Sequence, residues 1–591
     1  MEVSLRADGW TTHGDVTVRG RAFDGGTLLE AGSLAEYLRS RVRDHAEGLE
    51  SVATAAMGLE GFFAAVVRPG DATYLVADAA RSIPLYYDAG GTVVSDRGRV
   101  VREAIGAGRD PVSQGEFLLT RYVTGPGTIW AGVRAVQPGE VVRLGDGAIT
   151  RRTYREYWSA GGRTERDGPG TGAEASVRTL RAGLETALDR LEAVAGDRPV
   201  VVPLSGGYDS RLVASALVER GREVIAFAFG RSGHPDVEVS REVAARLGIR
   251  WEFLPYDEAT WWEWYHGRAG RTYRREAFGG DALPFLAEVP ALVGLLEAGR
   301  LPADALYCPG HTVATPSERL PRFVGEPHEG TVTGGIGCGS DSGLEHRGDD
   351  RPPVEPSLEG LLEYVLERHY TLWDADFEVV REALGDRLSR ELLGGREPVE
   401  IDGPASAAAA YERWEWRGRM ATFTNGDLRA YEAAGVDWWL PLWGRAYVDA
   451  WERLALPLRR NKRLHAALAV ESYRAAADVP VERAALTDRT LSPVDRHCSL
   501  VRHTPERQFT ECGGRWEPPF LAPRASWGEP ASHPLAWYGA IHPALRERLS
   551  AGRDFYALRV LAETGRLSFS EPGASLEPPD VESLLDSSVD D

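Results

Sequence analysis

Val200-Val201-Val202-Pro203-Leu204-Ser205-Gly206-Gly207-Tyr208-Asp209-Ser210 runs from an apolar stretch into a polar, glycine-rich turn. After it, Leu212, Val213, Ala216 and Leu217 fall on one face of a helical pattern. A short run with no polar member reads as a strand buried on both faces, as in a parallel sheet. Two glycines let backbone N–H groups turn inward, the helix start adds partial positive charge, and the two serines donate hydroxyl hydrogen bonds. That combination cradles an anion. Asp209 would repel a bare phosphate, so its presence points to Mg²⁺ bridging carboxylate and phosphates. An ordinary strand-to-helix turn capped by Ser or Asp accounts for fewer of these positions, and the stretch is read as a binding loop for ATP.

Working outward, the pattern alternates. Residues 174–195 carry Val177, Leu180, Leu184, Leu188 and Leu191 on one helical face. Strands are expected at 224–229 and 251–254, with a helix over 236–247 between them. Strand and helix alternating at this spacing imply a doubly wound parallel sheet, which places ligands at the carboxyl ends of its strands. Upstream, residues 1–158 read as an α+β module, with strands at 61–67, 72–76, 91–95 and 140–144 and a helix at 33–42. The Gly-rich stretch 159–173 reads as a linker, 174–566 as the nucleotide-binding domain with helical additions, and 567–591 as an acidic disordered tail. Segments 312–356 and 512–534 read as irregular.

Composition narrows the function. The 591 residues carry a formal charge of −20, which disfavours nucleic acid as a partner because its phosphates would be repelled. No apolar run approaches the length of a membrane span, and MEVSLRADGW has no secretory pattern. The four cysteines, Cys308, Cys338, Cys498 and Cys512, show no metal or disulfide spacing. A cytoplasmic protein is the expectation. Among 68 Lys and Arg, Lys462 is the single lysine. A compact ammonium does some jobs that guanidinium cannot, so this residue is a functional candidate.

The loop resembles the S-G-G-x-D-S signature of enzymes that split ATP into AMP and pyrophosphate. The G-x-x-x-x-G-K-[ST] loop of kinases and common ATPases is missing, which disfavours phosphoryl transfer. Ala226-Phe227-Ala228-Phe229-Gly230, then Asp236 with Ala244, Leu247 and Gly248, resemble the adenine-side strand and helix of asparagine synthetases. Gly61-Phe62, Asp78 to Tyr86, Val94-Ser95, Tyr122 to Gly132, Pro138-Gly139 and Tyr157-Trp158 resemble the glutaminase domain of that family and its exit. Arg419, Asn425, Glu432, Gly435 and Pro441-Leu442 resemble its helical region. The resemblance implies an N-terminal Ntn-hydrolase-like sandwich followed by an adenine-nucleotide α-hydrolase-like domain. It implies ATP with Mg²⁺, and an amide ligase acting on a small-molecule carboxylate (aspartate by family default) with ammonia or another amine. Ser205, Gly206, Gly207, Asp209, Ser210, Phe229, Gly230 and Gly310 would bind ATP and pyrophosphate, and Lys462 would stabilise the departing pyrophosphate.

The departures are as informative. The family's glutaminase nucleophile is an N-terminal cysteine, whereas Met1 is followed here by Glu2 and no cysteine precedes Cys308. The family's Asn-Gly-Glu segment aligns with Arg19-Gly20-Arg21, a charge reversal. A module retained without glutaminase activity is expected. In Cys308-Pro309-Gly310-His311-Thr312-Val313-Ala314, the family's Mg²⁺-holding acidic position falls on Ala314; a rival alignment keeps the carboxylate as Asp341. His311 is a candidate general base for the incoming amine, and a structural loop histidine is the alternative. Trp414, Trp416, Trp438, Trp439 and Trp443 read as packing residues. His497, Cys498 and His503 have no metal geometry. Arg459, Arg460 and Arg463 either hold pyrophosphate or form a solvated basic face. The competing expectation is a nucleotide-binding pseudoenzyme of the same family that acts through partner contacts.

Overall fold

The Val200-to-Ser210 stretch sits at the centre of a five-stranded, all-parallel sheet. Its spatial order is Arg250–Pro255, Val224–Gly230, Val200–Pro203, Leu306–Tyr307, Asp437–Trp438. The computed structural model describes residues 1–44, 48–159, 171–326, 352–478, 535–546, 555–571 and 580–586. Val200, Val201 and Val202 are fully buried, as an uninterrupted apolar strand demands. Helices follow the first two strands, Tyr208–Glu219 and Pro235–Leu247. The second begins with Pro at its first position and ends on Gly248 at φ 67°, a left-handed cap that glycine adopts without steric cost. The parallel sheet and the helices that follow its strands agree with the α/β part of the expectation.

The first 158 residues build two sheets. The larger runs Ala148–Thr153, Glu140–Gly145, Thr73–Ala77, Leu59–Val67, Val16–Asp24, Thr11–His13, with Thr27–Glu30 also paired to Val16–Asp24. The smaller runs Glu2–Ser4, Val93–Ser95, Tyr86–Asp88, Val133–Ala135. Strand periodicity sorts the side chains of Leu59–Val67 by face. Ala64 and Val66 join Leu75, Leu85, Val94 and Val142 in one buried cluster, while Phe63, Ala65 and Val67 pack with Leu34, Leu38 and Val52 from the helices Ala31–Asp44 and Leu49–Met57. The smaller sheet is covered by the helix Gly98–Ile105, through Val101, Tyr86 and Val93. The layers are therefore helix, sheet, sheet, helix.

The tail departs from expectation. Val581–Asp586 is a helix, with Val581 and Leu585 buried. Their i, i+4 spacing presents one apolar stripe, and Leu585 lies over Gly115 of the helix Pro111–Thr120, where a Cβ would come within 2.9 Å of it. The acidic composition concealed that stripe.

Candidate active site

The chain-order numbering of the parallel sheet is 3-2-1-4-5, so the connections reverse direction between Val200–Pro203 and Leu306–Tyr307. Such a switch point opens a crevice beyond the strand ends. Two loops meet there, 204–210 and 308–311. A Cβ on Gly310 would lie 2.6 Å from the Ser210 backbone nitrogen, so glycine is required for this approach. Within the first loop Ser205 N–H donates to Ser210 Oγ (3.1 Å), Gly207 N–H to Ser205 Oγ (3.2 Å) and Gly206 N–H to Asp236 Oδ1 (2.6 Å). Asp236 thus holds the turn from the next helix, a role its place in the sequence did not reveal. Phe229 and Gly230 end the adjoining strand. The Phe229 ring lies 5.5 Å from that of Tyr256, and Gly230 accepts the Tyr256 N–H (2.8 Å).

Lys462 reaches this crevice from far along the chain. It and Asn461 both adopt left-handed backbone conformations, φ 53° and 54°. For residues with a Cβ this costs about 1–2 kcal/mol each, and two in succession mark a segment whose geometry is imposed by its surroundings. The ammonium lies 2.8 Å from Asp209 Oδ2 and 3.0 Å from Glu318 Oε1. On the other side His465 Nε2 is 2.7 Å from Asp209 Oδ1, and the Tyr447 hydroxyl is 2.6 Å from His465 Nδ1. Burial disfavours the charged form of Asp209, but Lys462 and His465 outweigh it and hold the carboxyl well below its ordinary range. Burial likewise opposes the Lys462 charge, and Asp209 and Glu318 override it, so the lysine's pKa is raised.

A buried carboxylate fixes the parts. Glu412, fully buried, accepts from Ser317 Oγ (2.6 Å), Ser159 Oγ (2.5 Å), Tyr157 Oη (3.2 Å) and Arg459 Nε (3.2 Å). It thereby ties the residue beside Glu318, the segment that precedes Lys462, and the exit of the first module to one point. Neither Glu318, His465 nor Glu412 stood out in the sequence. Glu318 is four positions past Ala314, on the short helix Thr315–Glu318.

The structure brings Ser205, Gly206, Gly207, Asp209, Ser210, Gly310 and Lys462 together. His311 turns instead to a second buried group, with Nε2 3.3 Å from Asp427 Oδ2. Burial lowers its pKa despite nearby Glu288, Asn425 and Asp209, which favours neutral imidazole. Ala314 is fully buried, and Asp341 lies outside the described residues. So do Cys338, His497, Cys498, His503 and Cys512. Arg459 and Arg460 correct the alternatives offered for them: Arg459 is buried on Glu412 and Arg460 pairs with Glu326 (2.6 Å). Trp414, Trp416, Trp439 and Trp443 are buried, and Trp438 and Trp439 pack on Phe62 of the first module. Among the described residues, no group of three or more His, Cys, Asp and Glu could hold a metal ion, and no helix is long and apolar enough to cross a membrane.

Residues 179–263, which contain the Ser205–Ser210 loop and the strands beside it, match the family model for asparagine synthase. Carboxyethyl-arginine beta-lactam-synthase of Streptomyces clavuligerus is 34% identical over 197 residues, 32% of this chain. Over this part, the chain is similar to asparagine synthases and to that asparagine synthase-like enzyme. That alignment spans 35% of the Streptomyces protein, about a third of its length. Two solved structures are also similar. The allosteric regulatory enzyme of purine biosynthesis matches at 12% identity and TM-score 0.18, over 42% of this chain and 63% of that one. Glutamine phosphoribosylpyrophosphate amidotransferase from B. subtilis, complexed with ADP and GMP, matches at 12% and 0.17, over 52% and 59%. At those scores neither bears on the fold.

Against the asparagine synthetase pattern, the first module shows where its two arginines went. Arg19 pairs with Glu432 (3.0 Å), and Arg21 with Asp437 (2.9 Å), which Arg198 also reaches (2.7 Å). Both arginines project from the strand Val16–Asp24 onto the second module. Among the described residues the free cysteine is Cys308, buried, with its thiol pushed up by that burial, so it is no nucleophile at neutral pH.

Proposed function

We propose that this chain is an ATP-dependent ligase. It adenylates a carboxylate, releases pyrophosphate, and joins the activated acyl group to ammonia or another amine, without hydrolysing glutamine. The observation that carries the reading is Lys462, the one lysine, set 2.8 Å from Asp209 at the sheet's switch point. Ser205 and Ser210 offer hydroxyls and the start of Tyr208–Glu219 offers its positive end to phosphates. Phe229 and Gly230 line the adenine side. Lys462 meets the negative charge that grows on pyrophosphate as it leaves, an effect worth about 3–4 kcal/mol for one well-placed donor.

Asp209 and Glu318 are the carboxylates that would hold Mg²⁺, with Asp341 a further candidate. Phosphate and water oxygens complete such a shell, in keeping with how this ion is usually bound. When bound, Mg²⁺ neutralises phosphate charge. Glu318 compensates for Ala314. His311, neutral and oriented by Asp427, is the group that takes the proton from the amine. The first module acts as a structural partner, its former substrate-binding strand converted to ion pairs across the interface.

Aspartate is the family default as the carboxylate. The name of the Streptomyces relative, a beta-lactam synthase, supports an amine other than free ammonia. A nucleotide-binding pseudoenzyme is the second reading, favoured by Ala314. Carboxylate-dependent exchange of labelled pyrophosphate into ATP separates the two. Exchange with at least one carboxylate supports the ligase, while ATP binding with no exchange and no AMP release supports the pseudoenzyme.

A further inference from the structure

Two roles at this site compete for the same atoms. Asp209 and Glu318 are the carboxylates that suit Mg²⁺, yet Lys462 sits on both, 2.8 Å from Asp209 Oδ2 and 3.0 Å from Glu318 Oε1. Lys462 is also the cation suited to the departing pyrophosphate. An ammonium neutralised by two carboxylates has little charge left for a phosphate, and a carboxylate oxygen in an ion pair offers less to a metal.

Most of the surroundings are fixed. Arg459 lies buried on Glu412. Arg460 donates through Nη2 to both Glu326 oxygens (2.6 and 2.7 Å) and through Nη1 to the Leu320 and Pro321 carbonyls (3.2 and 3.0 Å). Asn461 and Lys462 keep their left-handed backbones between these anchors and the helix Arg463–Ala477. Asp209 is held from behind by His465, whose Nε2 lies 2.7 Å from its Oδ1, and His465 is backed in turn by the Tyr447 hydroxyl. What can change is the four-carbon lysine stem and the cation resting on Asp209 Oδ2 and Glu318 Oε1, whose side chains are 29% and 26% exposed.

Two carboxylates balance one divalent ion more fully than one ammonium. Lys462, only 7% exposed, cannot leave them without another anion to meet, because a buried charge stripped of its partner is strongly destabilising. The phosphates of ATP, cradled by the loop 204–210 beside it, are such an anion.

We infer that Lys462 is a resident competitor of Mg²⁺: it occupies the Asp209–Glu318 pair until the metal takes those oxygens, and then turns to the phosphates. This rests on the ligase reading and adds to it the order in which the site is charged. Mg²⁺ alone binds weakly, because it strands the ammonium. With nucleotide present the lysine gains a partner, so metal and phosphates each favour the binding of the other. Lys462 thus presents its charge to the pyrophosphate only in the complete substrate complex.

The test uses the full chain with MgCl₂ as the probe and needs no turnover. Lys462 is the single lysine, so labelling with ¹³Cε-lysine gives one resonance that reports on its partners. That resonance should move saturably with MgCl₂ and stay put with NaCl at matched ionic strength. Melting temperature measured against MgCl₂ gives the midpoint for binding. In Lys462→Met the midpoint should fall about tenfold, a modest value for coupling between close charges. In Glu318→Gln it should rise, because a divalent ion loses more than an ammonium when one carboxylate is neutralised. A saturable thermal shift with an unmoved Lys462 resonance, or equal midpoints in wild type and Lys462→Met, would overturn the inference, as would no Mg²⁺-specific response in any of the proteins. If Lys462→Met fails to fold, the resonance and Glu318→Gln still decide, and an unchanged midpoint in Glu318→Gln overturns it. Pyrophosphate exchange absent with every carboxylate, beside the expected Mg²⁺ responses, would count against the ligase reading and leave the competition between Lys462 and Mg²⁺ standing.

Discussion

Replacing Lys462 by arginine separates a structural cation from a chemical one. Both side chains keep the charge between Asp209 and Glu318, and both bear the same left-handed backbone strain, so that cost cancels in the comparison. Lys462 is 7% exposed, its partners 29% and 26%. Removing one member of a fully buried pair costs about 3–5 kcal/mol; with partners a quarter open, Lys462→Ala should cost about 2–3 kcal/mol. Lys462→Arg should recover most of that, since a guanidinium fork suits two carboxylates. Activity should not recover. A planar guanidinium held by both carboxylates cannot place a point charge on the leaving pyrophosphate, and pyrophosphate exchange should fall about 10²–10³-fold in both variants, the effect of losing one such donor. Thermal unfolding and exchange measured on the same preparations make the comparison. Exchange in Lys462→Arg within about threefold of wild type, at restored stability, would show that any cation serves and refute the reasoning.

Glu412→Gln should slow exchange more than it weakens ATP binding, because it loosens the anchors of both Glu318 and Lys462; separate kcat and KM values for ATP check this, and a change confined to KM would count against it. Asp427 is pushed up to about 7 by burial, with its Glu288 hydrogen bond opposing. Below that pH it is neutral and cannot stabilise a protonated His311. The amine-dependent step should therefore decline as pH falls through about 7 while pyrophosphate exchange does not; Glu288, His311, Tyr431 and Tyr273, which all face the pair, would set the steepness. A shared decline would refute that assignment. Leu585→Ala should destabilise the protein by about 2–4 kcal/mol, measured by denaturant unfolding, and a neutral result would mean that the terminal helix contributes nothing to the fold.

What the sequence made legible follows from locality. Val200–Pro203 and Val224–Gly230 announced themselves because a central parallel strand is apolar on both faces. Lys462 was visible only as the exception in a chain that otherwise uses arginine. Val16–Asp24 went unread as a strand because Arg19 and Arg21 interrupt it, and their reason lies some 400 residues away, at Glu432 and Asp437. Leu306–Tyr307 is too short to leave a pattern. Glu318, Glu412, His465, Glu288 and Asp427 are single residues gathered by the switch in strand order, and no spacing between them is fixed by any one element. The acidic tail was read by charge, which outweighed the two apolar positions that seat its helix.

The central claim is that this switch-point site turns ATP over to AMP, and labelled pyrophosphate measures that most directly. Wild-type protein with Mg²⁺, ATP and a panel of carboxylates, aspartate and amino-substituted acids among them, should incorporate label into ATP with at least one member, and incorporation should fall about 10²–10³-fold in Lys462→Ala. No incorporation with any carboxylate, in protein shown to bind ATP, would contradict the account.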